Sequence, residues 1–116
     1  MNKRDDILLR LRHMLDYANE VMSFTTDKVR ADLDTNLMLH RALSMSVGII
    51  GEAASQIPRE FHDTHPEISW RDIIGMRNHL FHVYHRIDPA VLWVTATEDV
   101  PELIPKLEAI IASMRS

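Results

Sequence analysis

Apolar residues recur every three to four positions through several long stretches of this chain, and no stretch of useful length alternates apolar with polar. That period is the repeat of an α-helix and not of a pleated strand. Such a chain buries its apolar side chains by packing helix on helix. In the first stretch the stripe is Ile7, Leu11, Met14, Leu15, Ala18, Val21 and Met22, preceded by Asp5 and Asp6, where the helix dipole favours acids. Phe24–Thr25–Thr26–Asp27 reads as its end, and Lys28 to Thr35 as a polar linker with room for one helical turn. A second helix is predicted from a cap at Asp34 or Thr35 to about Gln56. Its inward face holds Leu39, Leu43, Val47, Ile50 and Ala54. Gly48 and Gly51 lower its helix propensity, a cost usually offset where another backbone comes close.

Pro58 and Pro66 bracket a predicted loop, and Trp70 opens a third helix that reaches Tyr84 or His85. Asp88–Pro89 has the form of an N-cap followed by proline at the first helical position. Asp99–Val100–Pro101 repeats that start signal before a last helix ending near Met114, with Pro105 awkwardly placed in its first turns. The expected fold is all-α, a bundle of about five helices in one domain spanning residues 1–116.

A chain of 116 residues can bury roughly two-thirds of its unfolded surface, enough for a core without staples. A hydrophobic fraction of 46% excludes a disordered chain. The longest apolar runs, such as Val47–Gly48–Ile49–Ile50–Gly51, are too short to span a membrane. With no cysteine there are neither disulfides nor thiolate metal sites. No charged-then-apolar leader opens the sequence, so a cytoplasmic location is expected. The net charge of −4 is unlike that of a general nucleic-acid binder, which is normally basic. Chemistry on RNA would have to rest on a local cluster of charge, with a small footprint or a partner or second subunit completing the site.

The third helix is the informative one. At about 100° per residue, Arg77 falls in the middle of its apolar arc, among Trp70, Ile73, Ile74, Leu80, Phe81 and Tyr84. A guanidinium does not lose its proton, so burying it requires a carboxylate or an anionic ligand. Glu52 on the second helix is the candidate for a structural ion pair. A second stripe, Arg71, Gly75, Asn78, His82 and His85, lies on the opposite side. Gly75 permits close approach to the backbone, and Asn78 stands four residues before His82, where its amide can orient the imidazole. Arg77 and His82 are about 140° apart on an ideal helix. Bringing them to one spot needs a bent or loosening helix end, or a second copy of the helix across an interface. Taken alone, His82 is a surface or packing histidine more often than a catalyst.

Arg77–Asn78–His79–Leu80–Phe81–His82–Val83–Tyr84 resembles the R-x4-H-x-Y motif of the HepT-like toxins within the HEPN superfamily. The flanking words are similar too: Ile49–Ile50–Gly51–Glu52–Ala53–Ala54, His65–Pro66–Glu67–Ile68–Ser69–Trp70, Ile73–Ile74–Gly75–Met76, Ile87–Asp88 and Asp99–Val100–Pro101. They run in order from Ile49 to Pro101. The resemblance implies a helical bundle that dimerises through the motif helix into a cleft with two Arg/His sets. It implies a ribonuclease toxin encoded with a minimal nucleotidyltransferase antitoxin, which silences the toxin by adenylylating the motif tyrosine, here Tyr84.

The chemistry is consistent with those residue types. RNA carries its own nucleophile in the 2′-hydroxyl, so neither metal nor cofactor is called for. His82 suits a general base or acid because imidazole titrates near neutrality. Arg77 can hold charge on the scissile phosphate with a two-pronged hydrogen-bonding fork. Tyr84 lies on nearly the same face as Arg77, so an AMP on its hydroxyl would set a phosphate over the cleft. His79, His82 and His85 invite a metal, but the first and last are about 240° apart and no acid completes a set. Gly48–Ile49–Ile50–Gly51 has the form of an RNA-clamping GXXG loop, yet it is apolar and mid-helix, which favours packing. The competing function is a non-catalytic module that binds a nucleotidyltransferase partner or a nucleotide.

Overall fold

The computed structural model describes residues 2–82 and 88–115, with the side chains of Phe81 and His82 outside that description. Among the described residues there are α-helices and no strand: α1 (Lys3–Thr25), α2 (Asp32–Thr35), α3 (Leu37–Ser55), α4 (Arg59–Thr64), α5 (Trp70–His82), α6 (Pro89–Val94) and α7 (Val100–Met114). The architecture is the all-α bundle that the periodicity predicts. No helix among the described residues is long and apolar enough to cross a membrane.

Helix α1 starts where Asn2 Oδ1 accepts from the Asp5 N–H at 2.8 Å. It ends as the Thr25 and Thr26 hydroxyls turn back onto the Val21 and Met22 carbonyls, and Asp27 takes a left-handed φ of 60°. Aspartate tolerates that region better than most residues, and a chain that enters it leaves the helix. The linker holds a single helical turn, α2. The cap of α3 is Asn36, whose Oδ1 accepts from Leu39 N–H at 3.0 Å. Asp34 and Thr35, predicted as caps, belong to α2 instead, and Asp34 takes an ion pair with Arg30 at 3.0 Å.

Two further features differ from expectation. The Pro58–Pro66 loop contains α4, too short for apolar periodicity to reveal. Its Phe61 and His62 rings pack on Trp70, with centroids 6.3 and 4.3 Å away. The Trp70 indole N–H donates to the His65 carbonyl at 2.9 Å, which fixes the start of α5. The predicted break at Asp99 is not a break. Asp88 does cap α6, accepting from Ala90 N–H at 2.8 Å, but α6 runs through a π-turn at Thr95–Asp99 straight into α7. Asp99 has helical angles and makes no capping bond. The Pro101 ring would clash with the carbonyl four residues back, on Thr97. Widening the preceding turn, with Val100 N–H bonded to the Thr95 carbonyl, relieves that clash without ending the helix.

The core is built by α1 (Leu11, Met14, Ala18), α3 (Leu43, Ile50, Ala54) and α7 (Leu107, Ile110), all nearly inaccessible. Helix α1 packs on both α3 and α7, and α5 packs on the outer side of α3. Helix α5 thus lies on the rim of the bundle and presents one side to solvent.

Candidate active site on helix α5

The seat of α5 is made by a glycine. A Cβ placed on Gly51 would lie 2.2 Å from Arg77 Cβ and 2.8 Å from the Ile73 carbonyl oxygen. No side chain fits there, so the α5 backbone rests directly on α3 at the turn that carries Arg77. Trp70 and Leu80 are buried on the same side, and Ile73 and Ile74 pack partly against the core. Arg77 therefore leaves the apolar arc at its most crowded point, and its stem is fixed by contact with α3.

The guanidinium reaches outward from that seat. One terminal nitrogen donates to Glu52 Oε2 in a short ion pair, and the other donates to Asn78 Oδ1 at 2.6 Å. Glu52 Oε1 accepts from Gln56 Nε2 at 3.2 Å. The chain Gln56–Glu52–Arg77–Asn78 orients one positive charge with three neutral or negative neighbours. It is not a dry interior: the Arg77 side chain is 27% exposed and that of Glu52 41%. Held but wetted, such a guanidinium can meet a phosphate without the full desolvation cost of a buried ion pair. Gln56 was not singled out in the sequence. Its signal is the i, i+4 spacing from Glu52 on a helix.

Asn78, read as the group that orients His82, gives its amide oxygen to Arg77. Any contact with an imidazole would then run through its N–H donors. Gly75, Asn78 and His79 are exposed, and a Cβ on Gly75 would meet nothing within 4 Å. His82 is the last residue of α5. The helix is α-helical from Trp70 to His82, and a five-residue spacing on an ideal helix sets the two motif positions about 140° apart. Tyr84 lies outside the described residues, as does His85 of the alternative metal set. Among the described residues no three His, Asp or Glu side chains converge as metal ligands.

A rim helix that carries a tethered arginine and a histidine one and a half turns later, on an all-α bundle, is the layout of the HEPN class. The ribonuclease HepT-like family model matches residues 14–110, and the chain belongs to that family. A Methanocaldococcus jannaschii protein provisionally named an RNase is 36% identical over 110 residues, covering 95% of this chain and 100% of that one. A second protein of that organism with the same kind of name is 32% identical, covering 98% and 97%. A Thermococcus cleftensis protein named probable ribonuclease HepT is 46% identical over 77 residues, 66% of each chain. No solved structure gives a significant match.

Proposed function

We propose that this chain is a single-domain cytoplasmic ribonuclease toxin that cleaves RNA without a metal ion or cofactor, at a cleft between two copies of α5. The observation that carries the reading is Arg77 itself, anchored by Gly51, Glu52 and Asn78 yet open to water. A guanidinium fixed in place and still reachable from solvent can take a phosphate as a further partner. Membership of a ribonuclease family supports the RNA substrate.

In this mechanism His82 takes the proton of the ribose 2′-hydroxyl, the oxygen attacks the adjacent phosphorus, and the 5′-oxygen of the next nucleotide leaves as it accepts a proton from water, His82 then returning its proton to solvent. Arg77 holds the phosphoryl oxygens as charge builds on them. The products are a 2′,3′-cyclic phosphate and a 5′-hydroxyl. The five-residue spacing of Arg77 and His82, about 140° on an ideal helix, favours a site assembled from Arg77 of one copy and His82 of the other. The purified protein should therefore cut RNA in excess EDTA and leave an all-deoxy strand of the same sequence intact. Activity lost to EDTA and restored by a divalent cation would sink the mechanism. Light scattering should give about twice the 13.4 kDa chain mass, and a monomer that still cuts would place the whole site within one chain.

Regulation by a minimal nucleotidyltransferase completes the reading: transfer of AMP to the Tyr84 hydroxyl would set a phosphate beside Arg77 and exclude RNA. Co-expression with such an enzyme should add one AMP mass to the wild-type chain and none to Tyr84→Phe. An adduct on any other residue would remove Tyr84 as the switch.

A further inference from the structure

On the flank of α5 turned away from the Gly75–Asn78 stripe there is a cavity of about 300 Å3, at the small end of ligand-binding pockets. It lies between α5, the outer end of the α3 core face, the π-turn and the first turns of α7. Its wall is apolar: Val47 and Ile50 from α3, Ile73 and Met76 from α5, and Leu103 from α7. Ile73 and Met76 are only partly buried although they pack against the core. Their apolar surface is thus left facing the cavity.

The polar groups of the cavity are one-sided in charge. Asp72, Asp99 and Glu102 line it, against Lys106. Partial burial pushes the Asp99 carboxyl up, and Glu102, Glu98 and Asp72 push it the same way. None of Asp72, Asp99 and Glu102 is in a salt bridge among the described residues. The carboxylates repel one another around an apolar hollow, an arrangement that a cation with a greasy body would relieve on both counts.

We propose that this cavity binds a small amphiphilic cation, with an aromatic or short aliphatic body against Ile50, Ile73, Met76 and Leu103 and a protonated amine at Asp72, Asp99 and Glu102. The π-turn supplies two residues of the cavity lining, Thr95 and Asp99. The site is independent of RNA cleavage, and its test reads binding alone.

The test is titration of the full-length chain at neutral pH with 2-phenylethylammonium, 2-phenylethanol and 3-phenylpropionate, by calorimetry and by amide shifts in NMR spectra. The ammonium should bind about tenfold more tightly than the alcohol, as expected for a charge-assisted contact, and the carboxylate should not bind. Shifts should centre on Ile73, Met76 and Leu103. Asp99→Asn and Asp72→Asn, both at exposed positions, should bring ammonium and alcohol to parity. Met76→Phe should remove binding of both while the melting temperature holds. Equal binding of ammonium and alcohol to the wild-type chain, shifts centred elsewhere, or no binding would each overturn the proposal. So would binding confined to a lysine flanked by leucines in a blocked tripeptide, which would assign the cavity to a protein partner.

Discussion

RNA cleavage is expected to fall by about 10²- to 10³-fold on Arg77→Ala, the loss typical of one transition-state hydrogen-bond donor, and by about 10²- to 10⁴-fold on His82→Ala. The two losses should not multiply in the double variant, because charge stabilisation and proton transfer act on one transition state. Arg77→Lys should recover little: an ammonium keeps the charge but lacks the planar fork that grips two phosphoryl oxygens. These effects can be separated from folding. Removing Arg77 leaves Glu52 facing water at 41% exposure, so the loss of stability should stay within about 1 kcal/mol. Glu52→Gln should likewise cost little stability and lower cleavage more clearly, by releasing the guanidinium. Initial rates on a labelled RNA, with helical content followed by circular dichroism, decide the matter. Near-wild-type cleavage by Arg77→Ala, or full cleavage by His82→Ala, would remove those residues from the chemistry.

Alanine at Gly51 and at Gly75 should have opposite effects on stability. Each change gains up to about 1 kcal/mol of helix propensity. At Gly51 that gain is overwhelmed, because the new Cβ would sit 2.2 Å from Arg77 Cβ and 2.8 Å from a carbonyl oxygen that cannot rotate away. Helix α5 must lift off α3, an overpacking cost of about 1–3 kcal/mol or more. Cleavage should fall with it, since the displaced arginine no longer meets Glu52 and Asn78 as one unit. At Gly75 nothing lies within 4 Å, so the single chain should gain stability. If two α5 helices meet along this stripe, Gly75→Ala should nonetheless weaken the dimer and its activity. Urea unfolding midpoints and light scattering read the two effects separately. A stable, active Gly51→Ala would mean that α5 does not rest on α3 as described. An unaffected dimer in Gly75→Ala would move the interface to another face.

Much of the bundle was legible because long amphipathic helices announce themselves. The stripes on α1 and α3 found their buried faces almost residue for residue, although Met22, in the last turns of α1, is 39% exposed. Short or proline-bearing elements were not legible. Six residues of α4 carry no period, and their order comes from Phe61 and His62 packing on a tryptophan that is later in sequence. Asp99–Val100–Pro101 has the composition of a helix start, yet local composition cannot tell a new helix from an old one that widens by one residue. Here the turn before Pro101 widens, with Val100 N–H bonded to the Thr95 carbonyl, and α7 continues onto α1.

The same division runs through the site. From the sequence alone came the helical period, an arginine on an apolar arc, the carboxylate able to answer it from another helix, and a motif that places histidine five residues later. Each depends on residue type and spacing, which are local properties. Tertiary structure decided which atoms meet. It seated Arg77 against Gly51 and brought Glu52 into an ion pair with the guanidinium. It left the arginine a quarter exposed instead of buried. Those outcomes turn on how closely two backbones approach and on which of several polar partners arrives first. They depend on the distance between helices, which no pattern within a single helix encodes.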